Sequence, residues 1–494
     1  MKNRHFLIYC TFLLGFVSIP SKAQKEAIDQ TIQQAEALSH FKFLAADELM
    51  GRDPARPEID IAALYIANQF EKYGARPVEG LNRYYQHVPF MYSSPPEIGE
   101  IHWNQDTLNH GDELLVLGGQ DISGEFELVV AGYGLEEDYE GKDVAGKWVV
   151  VRVGAPDRLS PAELFAAGRE KTALAQEKGA LGLIEMYNVP TTPWSLLVNY
   201  LNKPQMGLDT NPDGDKAFPY LWMKDLSSEI INAMNAGANT MKIQVSGKIN
   251  KKITGKNVVA FIPGTDEKLN EEYIMLSAHY DHLGIGTANA EGDSIYNGAR
   301  DNAVGTAALI QAADYFGEHP PKRSVLLCAW TAEEKGLLGS GYFADNPPLD
   351  LSTIIFNLNI DNAGYNDTSL VTVIGLGRTS ADHHISEAAE AFGLNALSDP
   401  APEQGLYDRS DNVNFAKKGI PAPTFSLGFT AFDQDVAAHY HQVTDQVDNF
   451  DLDYALKYWK SFILAAEKIA NDPNQPLWVT GDKYESVSKT LYGD

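Results

Sequence analysis

The 494-residue chain has only two cysteines, Cys10 and Cys328. Few-cysteine chains cannot rest on a disulfide framework, so stability must come from packing. Cys328 lies in the run Val325-Leu326-Leu327-Cys328-Ala329-Trp330, which reads as a buried strand and gives the thiol a core role rather than a nucleophilic one. Positive charge is also scarce. Lys and Arg total 39 against 67 Asp and Glu, a formal net charge of −28. Such a chain is repelled by nucleic acid and by anionic membrane surfaces, which removes both as partners. Apolar runs are short: the stretch from Phe6 to Ile19 is not long enough to predict stable membrane insertion. There is no internal repeat and no long low-complexity linker. What remains is 44% hydrophobic and 21% charged, the composition of a globular protein, in a chain too long for one ordinary domain.

The first 23 residues read as a signal peptide. Lys2 and Arg4 precede the apolar run, and Ser21-Lys22-Ala23 offers small residues for cleavage before Gln24. The expectation is export, to the periplasm or the extracellular space. Residues 24–112 begin with helix-forming sequence, including apolar positions Ile61, Leu64, Tyr65, Ala67 and Phe70 at helical spacing. Residues 113–251 are mostly strand-like, with glycine between the strands. From 252 to 472 short apolar runs alternate with helical stretches such as Val304 to Phe316. That alternation predicts an α/β domain with a mixed, mostly parallel sheet flanked by helices. Residues 473–494 read as a C-terminal extension over the surface.

Five stations in the α/β region carry metal-ligand chemistry. The first, Ser277-Ala278-His279-Tyr280-Asp281-His282, ends an apolar strand. Residues i and i+2 of a strand point the same way, so Asp281 can approach and orient the ring of His279. The second is Asn297 to Gly305, with Asp301 just before a helix. The third, Thr331 to Ser340, puts Glu333 and Glu334 directly after a buried strand, where one can ligate while the other moves a proton. The fourth ends another strand at Asp361, and the fifth is His439-Tyr440-His441-Gln442-Val443-Thr444-Asp445. Open α/β sheets gather ligands at the carboxyl ends of their strands. A mixed histidine and carboxylate set at such a place suits Zn²⁺.

In this order the stations resemble the co-catalytic dizinc exopeptidase family of bacterial secreted aminopeptidases and glutamate carboxypeptidases. The shared pattern is His-x-Asp, Asp-x-x-x-Gly, Glu-Glu-x-Gly-Leu-Leu-Gly-Ser, Asn-x-Asp and Tyr-His. The resemblance implies two Zn²⁺ per chain. His279 and Asp361 would hold one, Glu334 and His441 the other, and Asp301 would bridge them. It makes Glu333 the general base, Asp281 a catalytic partner orienting His279, and Tyr407 a contact for the substrate oxyanion. His441 is preferred to His439 because it carries Tyr440 and Asp445 in the pattern. The opening Leu44 to Arg52 and a cis peptide after the bridging aspartate also belong to the family. Residues 113–251 resemble an inserted protease-associated domain through Gly132-Tyr133-Gly134, Asp143 to Trp148 and Lys178 to Gly182. In one departure, Asn412 stands in Ser410-Asp411-Asn412 where many relatives carry histidine.

The expected activity is peptide hydrolysis from the amino end. No arginine cluster marks a carboxylate-binding pocket, and the acidic field favours an N-terminal amine. The alternatives are a carboxypeptidase, a glutaminyl cyclase-like transferase with one zinc, and a non-catalytic receptor-like binding protein. The intact bridging aspartate and Glu333 weigh against the last two. Nothing in the sequence sets the oligomeric state.

Overall fold

The computed structural model describes residues 19–156, 161–209, 218–237 and 240–493. Most of the expected signal peptide, with Cys10, lies outside them. The chain divides into two compact units, one formed by the residues up to Val88 together with Gly255 onward, the other by Pro89–Thr254.

The first unit is built on a sheet whose centre is parallel. Tyr273–His279 pairs in parallel with both Ser324–Trp330 and Ile354–Ile360, and the latter pairs in parallel with Thr424–Leu427. Antiparallel neighbours flank this core: Val258 to Ile262 runs against Val325 to Ala329, and Leu370–Ile374 runs against Thr424–Leu427. The central strands are buried at nearly every position and mostly apolar because both faces are covered. Ile274, Leu276, Leu327 and Ala329 pack in one cluster with Ala307 and Ile310 of helix Val304–Glu318 and Phe462 of helix Leu452–Asn471. The alternate residues Met275, Leu326, Cys328 and Trp330 pack in another with Phe343 and Phe415. Full burial of such side chains contributes about 1.5–3 kcal/mol each. Cys328 is a buried free thiol, as its sequence context predicts. No helix of the described residues is long and apolar enough to cross a membrane.

The second unit has a sheet in the order Asp106–Asn109, Ile98–Trp103, Thr240–Ser246, Ile122–Val130, Trp148–Arg152, Gly182–Tyr187, Tyr220–Lys224 and Leu114–Gly118. It begins at Pro89, not at 113. The polar segment around 98–109 shows little hydrophobic alternation, yet Ile101 lies opposite Ile243 in an antiparallel pair, so residues before 113 belong with strands more than a hundred positions later. The segment 473–494 also departs from a surface extension. Trp478 is buried and donates through Nε1 to the carbonyl of Gly419 at 2.9 Å, and Tyr492 donates to the carbonyl of Ile354 at 2.7 Å.

Candidate metal centre

The register of the parallel strands brings the stations together. His279 is opposite Trp330, and Ser277 is opposite Asn359. The carboxyl ends of three strands are therefore level, and His279, Glu333-Glu334 and Asp361 emerge side by side. Asp301 enters from the loop before helix Val304–Glu318, and His441 from the loop after helix Gln434–Ala437.

Asp301 is the centre of the cluster. Its Oδ1 lies 3.1 Å from His279 Nε2, which is also 3.2 Å from Asp361 Oδ1. Its Oδ2 lies 3.1 Å from His441 Nε2, which is also 3.3 Å from Glu334 Oε2. The two carboxylate oxygens thus face two different histidine and acid sets. The peptide joining Asp301 to Asn302 is cis. His439 does not enter: the residue is half-buried and its Nδ1 lies 3.0 Å from the carbonyl of Thr444. The structure brings His441 to the cluster, with its backbone at φ 56°, a conformation uncommon for a non-glycine residue and found most often where function demands it.

Asp281 supports the site differently from the expectation. Its carboxylate is 3.8 Å from His279 Nδ1, and its backbone carbonyl is nearer at 3.2 Å. The carboxylate instead accepts the backbone N–H groups of Glu333 and Glu334 at 3.0 and 3.3 Å. It therefore positions the paired glutamates, while the histidine is held by the main chain. Tyr407 is not brought to the cluster at all. Its hydroxyl donates to the carbonyl of Ala422 at 2.7 Å, and the Arg378 guanidinium covers its ring at 4.0 Å. The tyrosine that lines the pocket is Tyr440, stacked on His441 with ring centroids 4.0 Å apart. Asn412, at the departure from the family pattern, donates to the same Ala422 carbonyl at 3.2 Å.

Three supporting residues were not assigned roles from sequence. His282, fully buried, lies with Nδ1 2.7 Å from Glu334 Oε1, and with Asp301 and Glu334 it forms a further group close enough to hold an ion. Its signal was its place directly after the first station. Arg52 is buried and donates to the carbonyls of Tyr280 at 2.7 Å, Asn297 at 2.6 Å, Gly298 at 3.0 Å and Leu44. It ties the loops beside His279 and Asp301 to the N-terminal segment. Asp445 accepts from the backbone N–H of Arg300 at 2.9 Å and of Asp301 at 3.2 Å, and pairs with the Arg300 guanidinium at 3.0 Å. The fifth station thus clamps the second. The motif glycines are required by close approach. A Cβ on Gly305 would lie 2.2 Å from Asn302 Oδ1, and one on Gly339 2.2 Å from the carbonyl of Thr331.

Crowding of carboxylates shapes the electrostatics. Burial pushes the Glu333 carboxyl well above its ordinary range, and Asp361, Glu334 and Asp411 add to this against the pull of His279. Burial likewise raises Asp281 to about 6. Burial opposes charge on His441, yet Asp301 and Glu334 raise it to about 9. Asp301 is held far below the carboxylate range, because hydrogen bonds from His279 and His441 outweigh its burial. A cavity of about 450 Å³ opens over the cluster, lined by Asp301, Glu333, Glu334, Asp361 and His441 on one side and by Ile374, Leu406, Phe429 and Phe432 on another.

Residues 257–465 match the model of peptidase family M28. A probable zinc metalloprotease of Pyrenophora teres f. teres (strain 0-1) is 31% identical over 297 residues, covering 53% of this chain and 61% of that protein. Aminopeptidase YwaD of Bacillus subtilis (strain 168) is 25% identical over 298 residues, 57% of this chain and 60% of its own length. The matches thus span about three-fifths of these two relatives. In fold, the chain is similar to the solved aminopeptidase from Aneurinibacillus sp. strain AM-1, with 21% identity, a TM-score of 0.53, and coverage of 91% of this chain and 97% of that one. The segment that carries the ligand stations, residues 257–465, is thus similar to peptidase family M28.

Proposed function

We propose that the protein is a zinc-dependent aminopeptidase that hydrolyses the N-terminal residue from peptides with two Zn²⁺ ions and Glu333 as general base. The observation that carries this reading is Asp301, whose two oxygens each face a separate pair, His279 with Asp361 and His441 with Glu334. Imidazoles and carboxylates at these separations fit the donor chemistry of zinc. When bound, zinc supplies Lewis acidity, polarising a carbonyl and acidifying water at an open position. Glu333 takes the proton of the attacking water and passes it to the leaving amine, a task suited to a carboxyl whose pKa is raised by its surroundings. Asp281 holds the backbone of Glu333 while this happens. Tyr440 lines the pocket beside His441, with Arg409 3.4 Å from its hydroxyl, and takes the oxyanion-contact role expected of Tyr407.

Amino-end cleavage is supported by the charge of the chain, by the single arginine, Arg409, in the pocket wall, and by the naming of the Bacillus subtilis relative as an aminopeptidase. The apolar wall of Ile374, Leu406, Phe429 and Phe432 favours an apolar N-terminal side chain. A panel of aminoacyl p-nitroanilides and N-blocked dipeptides, with and without chelator, tests the proposal. Free-amine substrates should be cleaved and chelator should abolish the activity. Cleavage of N-blocked substrates at equal rates would overturn the amino-end preference, and chelator-insensitive turnover would overturn the metal chemistry. The proposal includes export after cleavage before Gln24, which N-terminal sequencing of the mature protein checks. It also treats Pro89–Thr254 as a protease-associated accessory domain.

A further inference from the structure

The second unit has a cavity of its own. It measures about 470 Å³, is lined only by residues between Ser93 and Lys248, and includes none of the ligand stations. Its walls hold three cationic side chains, Arg169, Lys203 and Lys248, and no carboxylate. In a chain with 67 acidic and 39 basic residues, that local excess runs against the overall charge. We propose that this cavity binds the carboxylate of an organic acid with an apolar body, the chemistry shared by the C-terminal residue of a peptide and by a free alkyl acid.

Lys248 carries the argument. It follows strand Thr240–Ser246 and is half-buried. Its Nζ donates to Ser93 Oγ at 2.9 Å and to the Ser94 carbonyl at 3.0 Å. Both partners are neutral, and an ammonium has a third N–H to place. Asp121 accepts from the backbone N–H of Lys248 at 3.0 Å, not from the ammonium. Burial lowers the pKa of Lys248 to about 8, with no acid near enough to raise it. Lys171 in the same unit shows the alternative, a buried ammonium matched by Glu185 at 2.6 Å. A partly buried cation without a counter-charge is costly, and an anion in the cavity satisfies it.

The rest of the wall selects the kind of anion. Arg169 and Lys203 are exposed and form no ion pair among the described residues. A guanidinium holds a carboxylate through two parallel N–H bonds. Leu117, Phe165 and Leu201 give the cavity an apolar side, and Tyr200, 65% exposed, adds an aromatic ring. Apolar walls with a few placed polar groups are the usual make-up of a small-ligand site. Inorganic phosphate or sulfate has no apolar body to bury there. The three cations come from helix Pro161–Glu177, from the turn after helix Trp194–Leu201 and from the end of strand Thr240–Ser246. Their spacing along the chain explains why no basic cluster marks the site in the sequence.

Calorimetric titration of the holoenzyme with N-acetylphenylalanine, with its uncharged amide and with octanoate tests the proposal. At least one of the two acids should bind, and the amide should bind at least about tenfold more weakly than its parent acid. The tighter acid identifies the source, peptide terminus or alkyl acid. Lys248→Met should weaken the bound acid at least about tenfold. Arg169→Gln, at an exposed position that leaves the core undisturbed, should weaken it several-fold. Binding of neither acid, equal binding of acid and amide, or effective competition by inorganic phosphate would overturn the proposal. So would affinity undiminished in both variants, which would put the acid at the metal centre instead. The readout is binding and not turnover, so failure here is distinct from failure of the proposed function.

Discussion

Two buried charge clusters make an instructive contrast. In the second unit Lys171 and Glu185 are both fully buried, with Nζ 2.6 Å from Oε1. Glu185 also accepts from Trp222 Nε1 at 2.8 Å and from the Tyr220 hydroxyl, and Lys171 donates to the carbonyl of Arg152 at 2.7 Å. Charge is matched and polar atoms are satisfied, so this cluster holds the sheet and asks for no ligand. In the first unit Asp281, Asp301, Glu333, Glu334 and Asp361 converge with His279, His282 and His441. The nearby arginines are engaged elsewhere, Arg300 with Asp445 and Arg52 with backbone carbonyls. Surplus negative charge with oriented imidazoles is a cluster that needs cations. The lesson is that burial of charge does not mark a site; burial of unmatched charge does.

The contrast can be broken or sharpened by substitution. The largest effect should come from Glu333→Gln, which is expected to lower kcat by about 10²–10⁴-fold, the usual contribution of a general base, while circular dichroism and zinc content stay unchanged. Retained turnover would remove Glu333 from the chemistry. Lys171→Met should leave activity per folded molecule intact but cost about 3–5 kcal/mol of stability in urea unfolding, because Glu185 is left buried without its partner. Pairing it with Glu185→Leu should recover most of the loss; if it does not, the cluster is more than a matched pair. His441→Ala should reduce the zinc measured by elemental analysis, and His439→Ala should not. Equal losses in the two variants would redraw the ligand set.

The smallest effect concerns Asp314, a half-buried acid outside both clusters. Its burial, with Glu36 and Glu318 nearby, raises its pKa to about 6. The folded state therefore holds the proton more tightly than the unfolded chain, whose aspartates titrate near 3.9. By linkage, this group's stability contribution is lost as pH rises from about 4 through about 6. Asp314→Asn should raise stability at pH 8 by roughly 1 kcal/mol, allowing for solvent screening of a half-buried group, and change nothing at pH 4. An equal gain at both pH values would show that charge is not the cause.

The sequence by itself determined a large part of this protein. Doubly buried parallel strands are mostly apolar, so Tyr273–His279, Ser324–Trp330 and Ile354–Ile360 were legible as runs despite the buried Ser277, Asn357 and Asn359 within them. Ligands at strand ends were legible because each run ends on, or within three residues of, a histidine or an acid: His279, Glu333 and Asp361. Tertiary structure alone decided the rest. The second unit starts at Pro89 because Ile101 pairs with Ile243, a long-range contact that no local pattern encodes. The direction of a loop side chain depends on turn geometry, so Tyr407 faced the Ala422 carbonyl and Tyr440 faced the pocket. Asp281 served the glutamates rather than the histidine because neighbouring strand ends, not strand spacing, set which N–H groups it meets. His282, Arg52 and Asp445 acquired their roles only when segments far apart in the chain were brought within hydrogen-bonding distance. Residue chemistry and local period are written in order along the chain; which groups meet across it is written in the fold.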